Sequence, residues 1–243
     1  MKKKKQLTAI SVFSGAGGMD IGFRAAGFKV LACVEVDSAC CQTLEANMPS
    51  YTKILERDIR SVSGEELLKV CGLERGEVDC LFGGPPCQSF SLAGKRQGLE
   101  DERGQLVGEF IRLVHEIQPK SFVMENVKGM ATWGGGAVLD YIEDRLANPD
   151  PARPNAVYAV THNILNAADY GVPQIRNRIF IVGNRLEKQF VWPKPTHAAV
   201  QNGKKRHESV GDALSELPPA TPPSVNALRI AGTIKGRRER HGY

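Results

Sequence analysis

Residues 7–35 read LTAISVFSGAGGMDIGFRAAGFKVLACVE, and the order of residue types in this stretch decides the fold. Leu7 to Phe13 is an apolar run rich in β-forming residues, the pattern of a buried parallel strand. Ser14-Gly15-Ala16-Gly17-Gly18 breaks it, Met19 to Ala26 reads as a helix closed by Gly27, and Lys29 to Glu35 is a second strand. Strand, glycine-rich turn, helix and strand, with an acid about twenty residues after the first glycine, open a doubly wound α/β sheet with a nucleotide-like site. The turn lets a ligand approach the backbone, the helix start offers free N–H groups, and Glu35 can accept from ribose hydroxyls. This spacing alone fits NAD as well as S-adenosylmethionine, and Asp20 stands where the third glycine of G-x-G-x-x-G would be.

Further along, Leu81 to Ser91 reads LFGGPPCQSFS. The run Val78 to Phe82 predicts a buried strand that stops at Gly83-Gly84-Pro85-Pro86, because two glycines allow a sharp turn and two prolines refuse to continue a sheet. That corner delivers Cys87 at the carboxyl end of a strand, where open α/β sheets place their ligands. A thiolate there is a candidate nucleophile. Ser121 to Met124 predicts another buried strand, ending at Glu125-Asn126-Val127, so a carboxylate lies in the same layer as Cys87. Tyr51 to Leu55 is a short strand before Asp58-Ile59. Ser63-Gly64-Glu65-Glu66 reads as a capping box opening a helix to about Val70. Leu106, Phe110, Leu113, Val114 and Ile117 line one face of a helix that stops before Pro119. A helix follows from about Val138 to Ala147, then strands at Val157 to Asn163 and Arg178 to Val182 form an antiparallel edge. Arg176 and Arg178, two apart on an extended segment, can face one site. Val210 to Leu217 predicts one short helix.

The net charge of +5 sits at the two ends of the chain. Lys2 to Lys5 contribute +4 and residues 201–243 another +4, leaving −3 on the body. A basic end suits a phosphate-rich partner, and it suits solubility equally well. The six cysteines, at 33, 40, 41, 71, 80 and 87, contain no CxxC pair and no spacing for zinc, so they imply a reducing compartment, no disulfides and no metal. No run is long enough to span a membrane, and no signal peptide is visible.

Gly84-Pro85-Pro86-Cys87-Gln88-Ser89-Phe90-Ser91 resembles the catalytic-cysteine motif of the DNA cytosine-5 methyltransferases. Phe13-Ser14-Gly15-Ala16-Gly17-Gly18, Glu35-Val36-Asp37, Asp58-Ile59, Arg103-Gly104, Glu125-Asn126-Val127 and Gln174-Ile175-Arg176-Asn177-Arg178 are similar to further motifs of that family, in the right order. The likeness covers roughly residues 7–196. It implies a Rossmann-like class I methyltransferase fold, with a mostly parallel, doubly wound sheet and an antiparallel edge hairpin. S-adenosylmethionine, leaving as S-adenosylhomocysteine, is the implied cofactor. It would be held by Phe13, Ser14, Gly15, Gly17, Gly18, Glu35 on the ribose, Val36, Asp58, Ile59 and Pro85. Cys87, Glu125, Arg178 and Arg176 are the implied catalytic residues. Gln88, Ser89, Lys95, Arg96 and Arg103 are the implied contacts to duplex DNA, in a loop that closes over a flipped base.

The family's later motifs and its sequence-reading region are not found. The resemblance therefore implies a catalytic domain at 1–196, followed by a Pro-rich connector at 197–243. It also implies a fold incomplete at its carboxyl end, either a truncated chain or the larger subunit of a split enzyme. The break falls at a hinge, which favours a second polypeptide as partner. Competing expectations are an RNA cytosine-5 methyltransferase, a cofactor-binding subunit without catalysis, and an NAD-dependent oxidoreductase. Ser89 stands where the RNA branch tends to have proline, and residues 78–91 lack the second half of a dinucleotide site.

Overall fold

The structure is a computed structural model and describes residues 6–86, 104–148, 158–200 and 203–217. Seven strands form one sheet: β1 (Thr8–Val12), β2 (Lys29–Glu35), β3 (Lys53–Glu56), β4 (Cys80–Gly83), β5 (Ser121–Val127), β6 (Ala159–Asn166) and β7 (Asn177–Asn184). Their order is β3-β2-β1-β4-β5-β7-β6. The first five run parallel, while β7 lies antiparallel between β5 and β6. The doubly wound sheet and the edge hairpin read from the sequence are both present.

Each face of the sheet has its own core. Ile10, Val12, Leu81, Phe122 and Met124 point to the face covered by α3 (Gly64–Cys71), α4 (Gly104–Ile117) and α5 (Ala137–Ala147). Ala9, Val30, Cys33, Cys80 and Phe82 point to the face covered by α1 (Gly18–Ala25) and α2 (Ser38–Asn47). There the Phe23 ring of α1 stacks on Phe82, with centroids 3.8 Å apart. Val30 and Cys33 share this face despite odd spacing. The register pairs Ala9 with Val30 but Ile10 with Ala32, so Leu31 is bulged and the alternation slips by one. Strand β4 approaches β1 so closely that a Cβ at Gly83 would sit 2.1 Å from the Val12 carbonyl oxygen.

Helix α4 buries Phe110, Leu113, Val114 and Ile117 completely, as its apolar stripe requires. At the start of α3, Ser63 accepts from the Glu66 N–H at 3.1 Å, but the Glu66 carboxylate pairs with Arg57 at 2.5 Å. The expected capping box is therefore half made. Glu116 of α4 takes the Gly64 N–H at 2.6 Å and supplies another acceptor at this helix end.

The amino ends of the central strands are tied by Asp79. Its carboxylate accepts from Thr8 N and Oγ1 at 2.8 and 3.1 Å and pairs with Lys120 at 2.5 Å. Beyond β7, a short parallel pair joins β8 (His197–Ala198) to β9 (Lys205–Arg206). His207 meets Asp169 at 2.9 Å and fastens this pair to the turn Ala167–Tyr170. α6 covers Val210–Leu214 and is shorter than expected, with a capping box between Ser209 and Asp212. No described helix is long and apolar enough to cross a membrane.

Candidate active site

The glycine-rich turn is built around one acid. Glu35 Oε2 accepts from Gly15 N at 2.7 Å, and Oε1 accepts from Val36 N and Asp37 N at 2.8 and 3.0 Å. A carboxylate has about four lone-pair positions, so roughly one is left for a ligand hydroxyl. Glu35 thus holds the turn and remains an acceptor. Phe13 adopts φ 53°, a left-handed conformation uncommon for a bulky residue, and such strain clusters at binding sites. Gly17, at φ 89°, caps α1 without a side-chain hydrogen bond.

Two cavities flank Phe13 and Gly84, which line both. The first, about 560 Å³, is lined by Gly15, Glu35, Val36, Asp58, Ile59 and Pro86 among others. The second, about 520 Å³, is bordered by Ser14, Gly18, Asp20, Glu125, Arg176 and Arg178 with Phe82 and Phe180. Most of the residues expected around a cofactor and a base therefore converge on one region at the carboxyl ends of β1, β2, β4 and β5. Gly17 and Pro85 line neither cavity. Pro86 lines the first cavity, and the Pro85 carbonyl accepts from the buried Asn126 amide at 3.1 Å.

Asp58 reaches the first cavity but is already engaged. Arg60 donates to both of its oxygens, the shortest contact being 2.6 Å, and those hydrogen bonds hold its pKa below the usual carboxylate value. An adenine amino group would compete with Arg60 for this acid.

Strand β5 does not stop before Glu125, as its sequence suggested. The ladder with β7 carries it through Val127, which pairs with Arg178. Glu125 sits within the strand opposite Phe180, and Arg178 reaches it on the diagonal, Nε to Oε1 at 2.7 Å. Glu125 Oε2 turns toward Gly84, where an added Cβ would be 3.2 Å away. Arg176 lines the same cavity, so the two arginines do face one site.

Cys87, Gln88, Ser89, Lys95, Arg96 and Arg103 lie outside the described residues. Sequence reasoning missed Asp20, Phe82, Tyr170 and Phe180 as walls of the second cavity. In the sequence Asp20 stands out only as a departure from the glycine spacing. Its carboxyl is fully buried, and burial pushes its pKa up against the opposing effects of Ser11 and Cys33. Among the described residues no group of three His, Cys, Asp or Glu side chains is placed to hold a metal.

A sheet of this order, with a glycine-rich turn opening onto a nucleoside-sized cavity and an acid–arginine pair beside it, defines a Rossmann-like methyltransferase. The C-5 cytosine-specific DNA methylase family model matches residues 7–235, and the chain belongs to that family. It is 52% identical over 244 residues to the type II methyltransferase M.AquIA of a Picosynechococcus strain, covering 96% of this chain and 98% of that one. It is 39% identical over 214 residues to the type II methyltransferase M1.HphI of Haemophilus parahaemolyticus, covering 87% of this chain but 53% of the relative. The crystal structure of a DNA modification methyltransferase from an E. coli prophage superposes with a TM-score of 0.69 at 29% identity, covering 88% of this chain and 56% of that one. The chain thus spans about half the length of several proteins it matches.

Proposed function

We propose that this chain transfers a methyl group from S-adenosylmethionine to C5 of cytosine in duplex DNA, through a covalent bond between Cys87 and C6 of a flipped base. The observation that carries this reading is the Glu125–Arg178 pair. The pair lines the second cavity, and its Glu125 sits against Gly84, which borders both cavities and stands three residues before Cys87.

The first cavity suits a nucleoside. Glu35 has acceptor capacity left for a ribose hydroxyl, and Val36 and Ile59 offer apolar walls to a ring. S-adenosylmethionine, when bound, supplies an electrophilic methyl group. The rest of the chemistry belongs to the chain. The Cys87 thiolate adds to C6, and the C5–C6 π electrons make C5 nucleophilic. Glu125 protonates N3 and so eases that addition, while Arg178 orients Glu125 and reaches the base at O2, with Arg176 in support. After methyl transfer, with S-adenosylhomocysteine as the leaving group, a base removes the C5 proton, the Cys87–C6 bond breaks with its electrons returning to sulfur, and N3 gives its proton back to Glu125. Within a duplex neither face of the ring is accessible, so the base must be flipped out, at a cost of a few kcal/mol. Lys95, Arg96 and Arg103 supply phosphate contacts, with Gln88 and Ser89 beside the base. The DNA sequence is read by a second polypeptide or further segment. M1.HphI, nearly twice as long as its match to this chain, supports that division.

Cys87→Ser tests the scheme. Methyl transfer to duplex DNA falls by at least about a thousandfold, the scale of removing a nucleophile, while S-adenosylhomocysteine still binds. Transfer at near the parent rate by the Ser variant would overturn it. Duplexes carrying 5-fluorocytosine sharpen the test, because fluorine cannot leave C5 as a proton, and a denaturation-resistant adduct at Cys87 is expected.

A further inference from the structure

Asp20 is the third residue of α1, a position from which an acid ordinarily reaches back to the N-cap N–H. Here the Gly17 N–H goes instead to the Ser14 carbonyl at 3.1 Å. Asp20 Oδ1 accepts from the Cys33 thiol at 3.3 Å, and Oδ2 has no hydrogen-bond partner. The Ser11 hydroxyl lies beside the carboxyl, but its 2.8 Å hydrogen bond is to Ser14. The nearest cation on the same helix, Arg24, is turned to the Asn47 carbonyl at 3.3 Å. Asp20 is 0% exposed, yet it lines the second cavity. A buried carboxylate oxygen without a donor is costly, and proteins seldom leave one without a use.

We infer that Asp20 is the acceptor for the α-ammonium group of the bound cofactor's amino-acid end. This rests on the S-adenosylmethionine reading above. The nucleoside end occupies the first cavity beside Glu35, and Phe13 and Gly84 border both cavities, so the amino-acid chain extends into the second. Two groups there match a zwitterion. The first turn of α1, whose N–H groups have no intrahelical partners and whose N-cap Gly17 offers no side chain, suits the carboxylate. Asp20 suits the ammonium, which supplies the missing donor and the countercharge together. The remaining walls near Asp20 include Met19 and Phe82, which offer no competing acceptor.

Calorimetry with the full chain tests this, using S-adenosylhomocysteine and its analogue lacking the α-amino group. The unmodified chain prefers S-adenosylhomocysteine by on the order of tenfold or more, the scale of a charge-assisted hydrogen bond. In Asp20→Asn that preference shrinks to within about threefold, while the deamino analogue binds both proteins alike. Equal weakening of both ligands would make Asp20 a packing residue and overturn the inference, as would an unchanged preference. If the folded, unmodified chain binds neither ligand, the cofactor reading itself fails and this inference with it.

Should Asp20→Asn not fold, the unmodified chain still decides. Above the ordinary carboxylate pKa of about 3.9, S-adenosylhomocysteine binding releases protons as Asp20 ionises, read as an enthalpy that varies with the buffer's ionisation heat. The deamino analogue lacks this Asp20 contribution and releases fewer protons. Cys33 on β2, Arg24 on α1, and Glu125, Arg176 and Arg178 across the cavity meet both ligands alike, so they cancel in the difference. Identical proton release for the two ligands overturns the proposal.

Discussion

Asp79 and Asp20 are both buried aspartates at opposite ends of the same sheet, one just before β4 and the other in α1, and they are treated in opposite ways. Asp79, at the amino ends of β1, β4 and β5, is met by Lys120 and by two donors of Thr8. Burial alone would raise its pKa, but these partners together outweigh burial and leave it lowered. Asp20, near the carboxyl ends, keeps one oxygen without a partner, and burial leaves its pKa raised. The amino edge of this sheet is thus satisfied from within, whereas the carboxyl edge is left unfinished for a ligand. A polar group completed by the fold stabilises it, and one left open costs stability until something binds.

The largest expected effect falls on the chemistry at the carboxyl edge. Glu125→Gln keeps the shape of the side chain but removes the acid and weakens the Arg178 contact. Methyl transfer falls by about 10²- to 10⁴-fold, the usual contribution of a general acid, with thermal stability nearly unchanged in a melting scan. A variant that instead loses stability and keeps its rate would place Glu125 on the structural side of the comparison.

Next comes the packing of the strand ends beneath that site, where Val12 of β1 pairs with Gly83 of β4. Gly83→Ala drives a Cβ into the Val12 carbonyl, and β1 and β4 cannot separate without breaking the central ladder. A loss of about 3 kcal/mol is expected for overpacking of this severity, read as a Tm lower by about 6–12 °C.

Lys120→Met removes the partner of Asp79 and should cost about 1–3 kcal/mol at pH 7, the penalty for stranding a buried acceptor. The sign of its pH dependence follows from the lowered pKa. The stability from ionised Asp79 is fully present above its unfolded value of about 3.9 and is lost as pH falls through the lower folded value. The deficit of the Met variant, followed by urea unfolding, therefore shrinks toward acid pH.

The smallest effect has the opposite sign. Asp20 has a raised folded pKa, so the ligand-free chain loses stability as pH rises from the unfolded value through the folded one. Asp20→Asn lacks this slope and should be about 0.5–1 kcal/mol more stable than the parent at pH 7, with the two converging below about pH 4. If the Asn variant is instead less stable at neutral pH, Asp20 belongs with Asp79 as a structural acid.

Local physics made much of the molecule legible. Helix α4 was readable because its apolar residues recur at helical spacing up to Pro119. The corner at Gly83-Gly84-Pro85-Pro86 was readable because those residues leave the backbone few choices. Glu35 lines the first cavity, and Arg176 and Arg178 line the second. Other features lay beyond a single stretch. The bulge at Leu31 shifts which residues of β2 face α1, and nothing in its alternation marks the slip. The reach of β5 through Val127 depends on β7, which comes much later in the chain. Pro85 and Pro86 are chemically alike, and only the Asn126 amide beneath the turn separates the one that is held from the one that lines the cavity.

By itself the sequence determined the alternation of strands and helices, the glycine-rich turn, the proline corner and the family motifs. These follow from the conformational limits and periodicity of neighbouring residues. Only the tertiary structure decided that Glu125 would meet Arg178, that Arg60 would occupy Asp58, and that Asp20 would be buried with an oxygen to spare. Whether a polar group is paired depends on what the rest of the chain packs around it, and that is settled when the sheet closes between its helices.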